Sequence, residues 1–114
     1  MENYYWIALA VAVLAFTWYM KRPDVTPALA RELLSKGALL VDVRSPSEFS
    51  SRHIEGAKNI PVNTLAGRTS ELGAKERSVI LYCASGTRSA MAKRTLRAAG
   101  FSSVYNLGAM SNWS

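Results

Sequence analysis

The chain has one cysteine, one histidine and eight acidic residues among 114, against fourteen Lys and Arg. A single cysteine, Cys83, excludes an internal disulfide, so nothing in the sequence points to an oxidising compartment. It also excludes a structural zinc site built on several cysteines. No internal repeat or low-complexity stretch is present, and the only linker is short, around residues 20–24. At this length there is room for one domain and an appendage, not for two domains. No run of cations is longer than two, and neither aromatic-basic interleaving nor zinc-finger spacing accompanies them. The net charge of +6 therefore reads as a solvated surface, with no nucleic-acid partner expected. No cofactor and no metal are expected.

Charge is missing altogether from Tyr4 to Met20, while every Lys and Arg lies at Lys21 or beyond. As a helix those 17 residues would reach about 26 Å, slightly under a ~30 Å hydrocarbon core. Aromatics cluster at both ends (Tyr4, Tyr5 and Trp6, then Trp18 and Tyr19), where two membrane interfaces would lie. Lys21-Arg22 closes the run and Pro23 stops the helix. A cleaved signal peptide would want a basic start and a small-x-small cleavage site, and both are missing. A packed helix would have to be covered on every face, more than the remaining chain can do. The expectation is one uncleaved transmembrane helix, with residues 1–22 as anchor and flank and residues 23–114 as the folded domain beside a lipid bilayer. Lys21, Arg22 and Arg31 on the C-terminal side put that domain in the cytoplasm by the positive-inside rule.

From Asp24 onward helix and strand signals alternate. Thr26 can cap a helix that has Pro27 at its first position, apolar Leu29, Leu33 and Leu34 on one face, and Gly37 at its end. Residues 39–43 are a short apolar run of the kind buried in a parallel sheet. Ser45-Pro46-Ser47-Glu48 is a capping box opening a short helix that continues through Phe49. Residues 59–62 read as a brief extended piece with Pro61 at its edge, and 64–72 as a helix containing Gly67. Residues 78–82 are the clearest strand. A helix over 88–99 ending at Gly100 and a last strand at 104–107 follow. This alternation implies an α/β domain with a mostly parallel sheet.

Cys83 stands at the C-terminal end of the clearest strand, where parallel sheets place their ligand crevices. Ala84, Ser85, Gly86 and Thr87 after it are small enough for backbone N–H groups to curl inward as an anion-binding nest. The helix opening near Arg88 adds its positive dipole end, and Arg88 a full cation. All of this favours negative charge on sulfur. Lowering an ordinary thiol pKa by ~2 units requires about 2.7 kcal/mol, within reach of these groups together. The thiolate would attack the outer sulfur of a donor and carry it as a persulfide to an acceptor. A lone cysteine after an apolar strand is more often a small buried hydrophobe. The glycine-containing loop, closed by arginine at a helix start, reverses that reading.

Four ordered blocks carry a resemblance: Val41-Asp42-Val43-Arg44-Ser45-Pro46-Ser47-Glu48-Phe49; His53-Ile54-Glu55-Gly56-Ala57-Lys58-Asn59-Ile60-Pro61; Cys83-Ala84-Ser85-Gly86-Thr87-Arg88-Ser89; and Gly100-Phe101 through Tyr105-Asn106-Leu107 to Trp113. Together they resemble a single-domain rhodanese over essentially the whole body. The resemblance implies about five parallel strands flanked by helices, Cys83 as persulfide carrier and the amides of 84–88 as anion cradle. It implies a sulfurtransferase taking sulfur from a small anionic donor (thiosulfate, polysulfide or a persulfide) to a thiol or cyanide-type acceptor. The alternative is a non-catalytic module of the same fold recruiting a partner at the membrane. Cys83 to Arg88 spans six residues, the length associated with sulfur transfer, whereas related dual-specificity phosphatases hold one more. Asp42 and Arg44 could form a second layer behind the loop, or simply an ion pair fixing a strand end. His53 reads as structural and Trp113 as core. Ala84 departs from the basic residue that many thiosulfate-using members carry after the cysteine, which makes a polysulfide or protein persulfide a reasonable donor.

Overall fold

Side-chain alternation along the central strand decides the layering of the molecule. The computed structural model describes residues 3–113, so Met1, Glu2 and Ser114, which the ranges 1–22 and 23–114 include, lie outside the described residues. Strands β1 (Leu39–Asp42), β2 (Lys58–Asn59), β3 (Val79–Cys83) and β4 (Val104–Ala109) form one parallel sheet in the order β2-β1-β3-β4. Central β3 is buried along its whole length. Its residues alternate: Val79, Leu81 and Cys83 join one core cluster, Ile80 and Tyr82 the other. Period two sends them to opposite faces. The first cluster takes Ala92 and Leu96 from helix α4 (Thr87–Ala98), with Leu65 and Leu72 from two 3-10 turns. The second takes Ala30, Leu33 and Leu34 from helix α2 (Pro27–Ser35).

The caps read from the sequence form as expected. Thr26 accepts the Leu29 N–H at 3.1 Å, and the Ser45 capping box closes on Glu48 at the start of helix α3 (Pro46–Ser51). The stretch 64–72 is not a helix but the turns Leu65–Gly67 and Thr69–Leu72. Gly67 ends the first of them, as its low helix propensity favours.

Among the described residues the sheet has four strands, not five. Residues 23–25 run along the free edge of β4 without joining it as a strand. The Asp24 N–H donates to the Asn106 carbonyl at 2.9 Å, but the return bond from the Asn106 N–H goes to the Asp24 carboxylate at 2.6 Å. A side chain thus takes the place of a ladder carbonyl, and neighbouring Pro23 has no N–H to offer.

The expected membrane anchor is overturned. Helix α1 (Tyr5–Lys21) is 17 residues long, and among the described residues no helix is long and apolar enough to cross a membrane. At 1.5 Å per residue it falls short of a ~30 Å core. The single-pass reading, with its bilayer partner and cytoplasmic domain, rested on that span. The last turns of α1 lie instead beside α4, where Phe16, Thr17, Met20 and Lys21 border a cavity with Thr87, Ala90, Met91 and Arg94.

Candidate functional site

Strand β3 delivers Cys83 to the mouth of the sheet, and the chain turns immediately into α4. The turn depends on Gly86, which caps α4 in the left-handed region at φ +97°. A Cβ there would stand 2.6 Å from the Lys21 carbonyl oxygen and 3.5 Å from Gly108 Cα. The end of α1 therefore presses on the loop from outside, at a distance only glycine allows.

The Cys83 thiol is completely buried beneath the exposed residues Ala84, Ser85 and Thr87. The Gly86 N–H donates to Sγ at 2.9 Å, and the Ser89 hydroxyl stands 3.4 Å from it. Burial pushes the thiol pKa up, but the Ser89 hydroxyl and the amides of Ser89, Gly86 and Ser85 outweigh that effect. The net result lies below the ordinary value. The loop is thus arranged for a thiolate.

Arg88 is not the free cation that the sequence suggested. Its guanidinium grips Glu48 with both arms, Nη1 to Oε1 at 2.6 Å and Nη2 to Oε2 at 3.0 Å. That bond, followed by the Ser45 amide, holds the Glu48 carboxyl down at about 2. Glu48 therefore links the α3 cap to the loop that ends in Arg88. A cleft of about 400 Å³ opens beside this pair, lined by Val43, Pro46, Pro61 and Val62 with Arg88 in its wall.

Asp42 and Arg44 are buried and bind each other: Arg44 Nη2 lies 2.7 Å from Asp42 Oδ2, and Arg44 also holds the Arg52 carbonyl. The Asn59 amide closes over them by donating to both their carbonyls at 3.0 Å. Among the described residues neither side chain hydrogen-bonds to 84–88. His53 is exposed, stacked on Phe49 at 3.8 Å, with Nδ1 2.8 Å from the Phe49 carbonyl. Trp113 is half-buried, with the Arg31 guanidinium over its ring at 4.2 Å. Two participants have no site role in the sequence reading. Ser89 lies six residues after Cys83, and only the turn of α4 folds its hydroxyl back onto sulfur. Glu48 is legible as a cap, but its grip on Arg88 spans forty positions and leaves no local signal.

A family model for the rhodanese-like domain matches residues 26–114. The chain is 38% identical over 99 residues to the uncharacterized protein YqhL of Bacillus subtilis, covering 83% of this chain and 78% of that one. It is 34% identical over 83 residues to the thiosulfate sulfurtransferase GlpE of Ectopseudomonas mendocina, covering 73% and 75%. The human single-domain sulfurtransferase TSTD1 superposes with a TM-score of 0.68 at 31% identity, covering 81% of this chain and 95% of that one. A cysteine cradled by amides where β3 meets α4, on this parallel sheet and with these relatives, fits one conclusion: the chain belongs to the rhodanese-like domain family.

Proposed function

We propose that residues 23–114 act as a sulfurtransferase that carries sulfane sulfur on Cys83, with the amides of 84–88 as its anion cradle. The observation that carries the reading is the hydrogen bonding around Sγ, which lowers the thiol pKa despite complete burial. The Cys83 thiolate attacks the outer sulfur of a persulfide or polysulfide donor. As the new S–S bond forms, the donor's S–S bond breaks and its electron pair leaves with the donor thiolate. An acceptor thiolate then attacks the outer sulfur of the Cys83 persulfide, and the Cys83 thiolate leaves. Mass spectrometry after polysulfide treatment is expected to show +32 Da on Cys83, and prior alkylation with iodoacetamide is expected to prevent it. An unmodified Cys83 after every sulfane donor would overturn catalysis and favour a partner-recruiting module.

The pairing of Arg88 supports a donor of low charge. Ala84 contributes no cation and Arg88 is neutralised by Glu48, so the loop offers amides but no uncompensated positive charge. Dianionic thiosulfate gains least from such a cradle. An organic persulfide can place its carbon tail along Val43, Pro46, Pro61 and Val62. Glu48→Gln keeps a capping residue at the third position of α3 while removing the carboxylate. It is expected to raise kcat/KM for thiosulfate about fivefold, the effect of about 1 kcal/mol from a released, half-exposed cation. An organic persulfide should change far less. Equal changes for both donors would refute the charge argument.

A further inference from the structure

A basic cavity lies between α4 and the end of α1 and shares no lining residue with the cleft beside Arg88. It measures about 260 Å³ and is bordered by Tyr19 and Arg22 from the end of α1, by Asp24, and by Lys93, Arg94 and Arg97. Four cations thus face one acid. That acid is already engaged: the Asp24 carboxylate pairs with Lys93 through one oxygen and accepts the Asn106 N–H through the other. Among the described residues Arg22, Arg94 and Arg97 form no salt bridge, so three guanidinium groups border the cavity without a counter-ion. The dipole of α4 accounts for a cation in its last turn, as at Arg97. The C-terminal end of α1 accounts in the same way for Arg22, which also lies over the Trp18 and Tyr19 rings at 5.7 and 4.9 Å, but neither dipole accounts for both helix ends and Arg94 bordering one cavity.

We propose that this cavity binds a small molecule bearing a phosphate group. A carboxylate is satisfied by one guanidinium fork, whereas a tetrahedral dianion presents three oxygens and can accept forks from several directions. The volume accommodates a phosphate with a short organic tail, and the Tyr19 ring in the wall offers that tail an apolar surface. The site uses none of the groups around Cys83, so it stands or falls independently of sulfur transfer.

Titration calorimetry on the full chain with inorganic pyrophosphate, at constant ionic strength maintained with KCl, tests the assignment. Saturable binding is expected, and Arg94→Gln/Arg97→Gln should weaken it at least tenfold, as the loss of charge-assisted bonds from two forks implies. Arg77→Gln, which removes one positive charge away from the cavity, next to Gly37, is expected to leave the affinity unaltered. Both replaced arginines are exposed, so unchanged far-ultraviolet dichroism separates lost binding from lost folding. Absence of saturable binding, or an affinity that falls as much in Arg77→Gln as in the double variant, would overturn the proposal.

Discussion

Gly86→Ala is expected to slow sulfur loading of Cys83 by about two orders of magnitude, the scale of a 1 Å misplacement of a reacting group. Two separate costs converge on that position. The backbone at φ +97° is strained for any residue with a Cβ, by about 1–2 kcal/mol. The new methyl would also meet the Lys21 carbonyl oxygen at 2.6 Å, and that atom is backbone that cannot swing aside. Either the end of α1 must retreat or the loop must shift, and the loop carries the Gly86 amide that donates to Sγ. Gly100→Ala is the matching control. It meets the same kind of strain at φ +99°, but its nearest neighbour is the flexible Lys75 side chain at 3.2 Å, and it lies past the end of α4, away from the sulfur. Both variants should lose several degrees of Tm. Only Gly86→Ala should lose sulfur loading, read as the rate of +32 Da appearance. Similar loading in the two variants would show that the geometry of the loop does not limit the reaction.

How far the sequence reaches depends on how local each cause is. The capping box at Ser45, the Thr26 cap and the buried run of β3 are decided within a few residues, and each is where the pattern places it. Position of the cysteine at a strand end, followed by a glycine turn and a helix, is equally local. Features decided across the fold were not legible. No fifth strand forms at residues 23–25, where the Asp24 side chain, not its backbone, accepts the Asn106 N–H over a gap of 82 residues. The shortness of the α1 run is legible in its length, but the packing of its last turn against α4 and the Gly86 loop is not. Arg88 reads as the cation of the site until a carboxylate forty positions earlier is folded onto it. Charge counts along a loop say what is present, and only the fold says what is already compensated.

Ser89→Ala is expected to shift the reactivity of Cys83 along the pH axis rather than to abolish it. A hydrogen bond to a charged group is worth about 1.5–3 kcal/mol, so removing the Ser89 hydroxyl should raise the thiol pKa by about one unit or more. The amides of Ser85, Gly86 and Ser89 remain and keep part of the depression, against the upward push of burial. Iodoacetamide alkylation measured against pH should then show its midpoint moved upward, with roughly tenfold slower reaction at pH 7 and an unchanged plateau at high pH. A lowered plateau with an unmoved midpoint would mean that the Ser89 hydroxyl gives its one proton to the Gly86 carbonyl, 3.2 Å away, rather than to sulfur, and that this fully buried residue serves packing alone. The stability of the two proteins supplies an independent reading. A thiol whose folded pKa lies below its ordinary value of 9.0 releases its proton earlier in the folded than in the unfolded chain. Its contribution is full above 9.0 and is lost as pH falls through the depressed folded value. Wild-type stability should therefore climb with pH across that window, and Ser89→Ala should climb less. Equal slopes would separate the hydroxyl from the charge on sulfur, leaving the backbone amides as the groups that stabilise the thiolate.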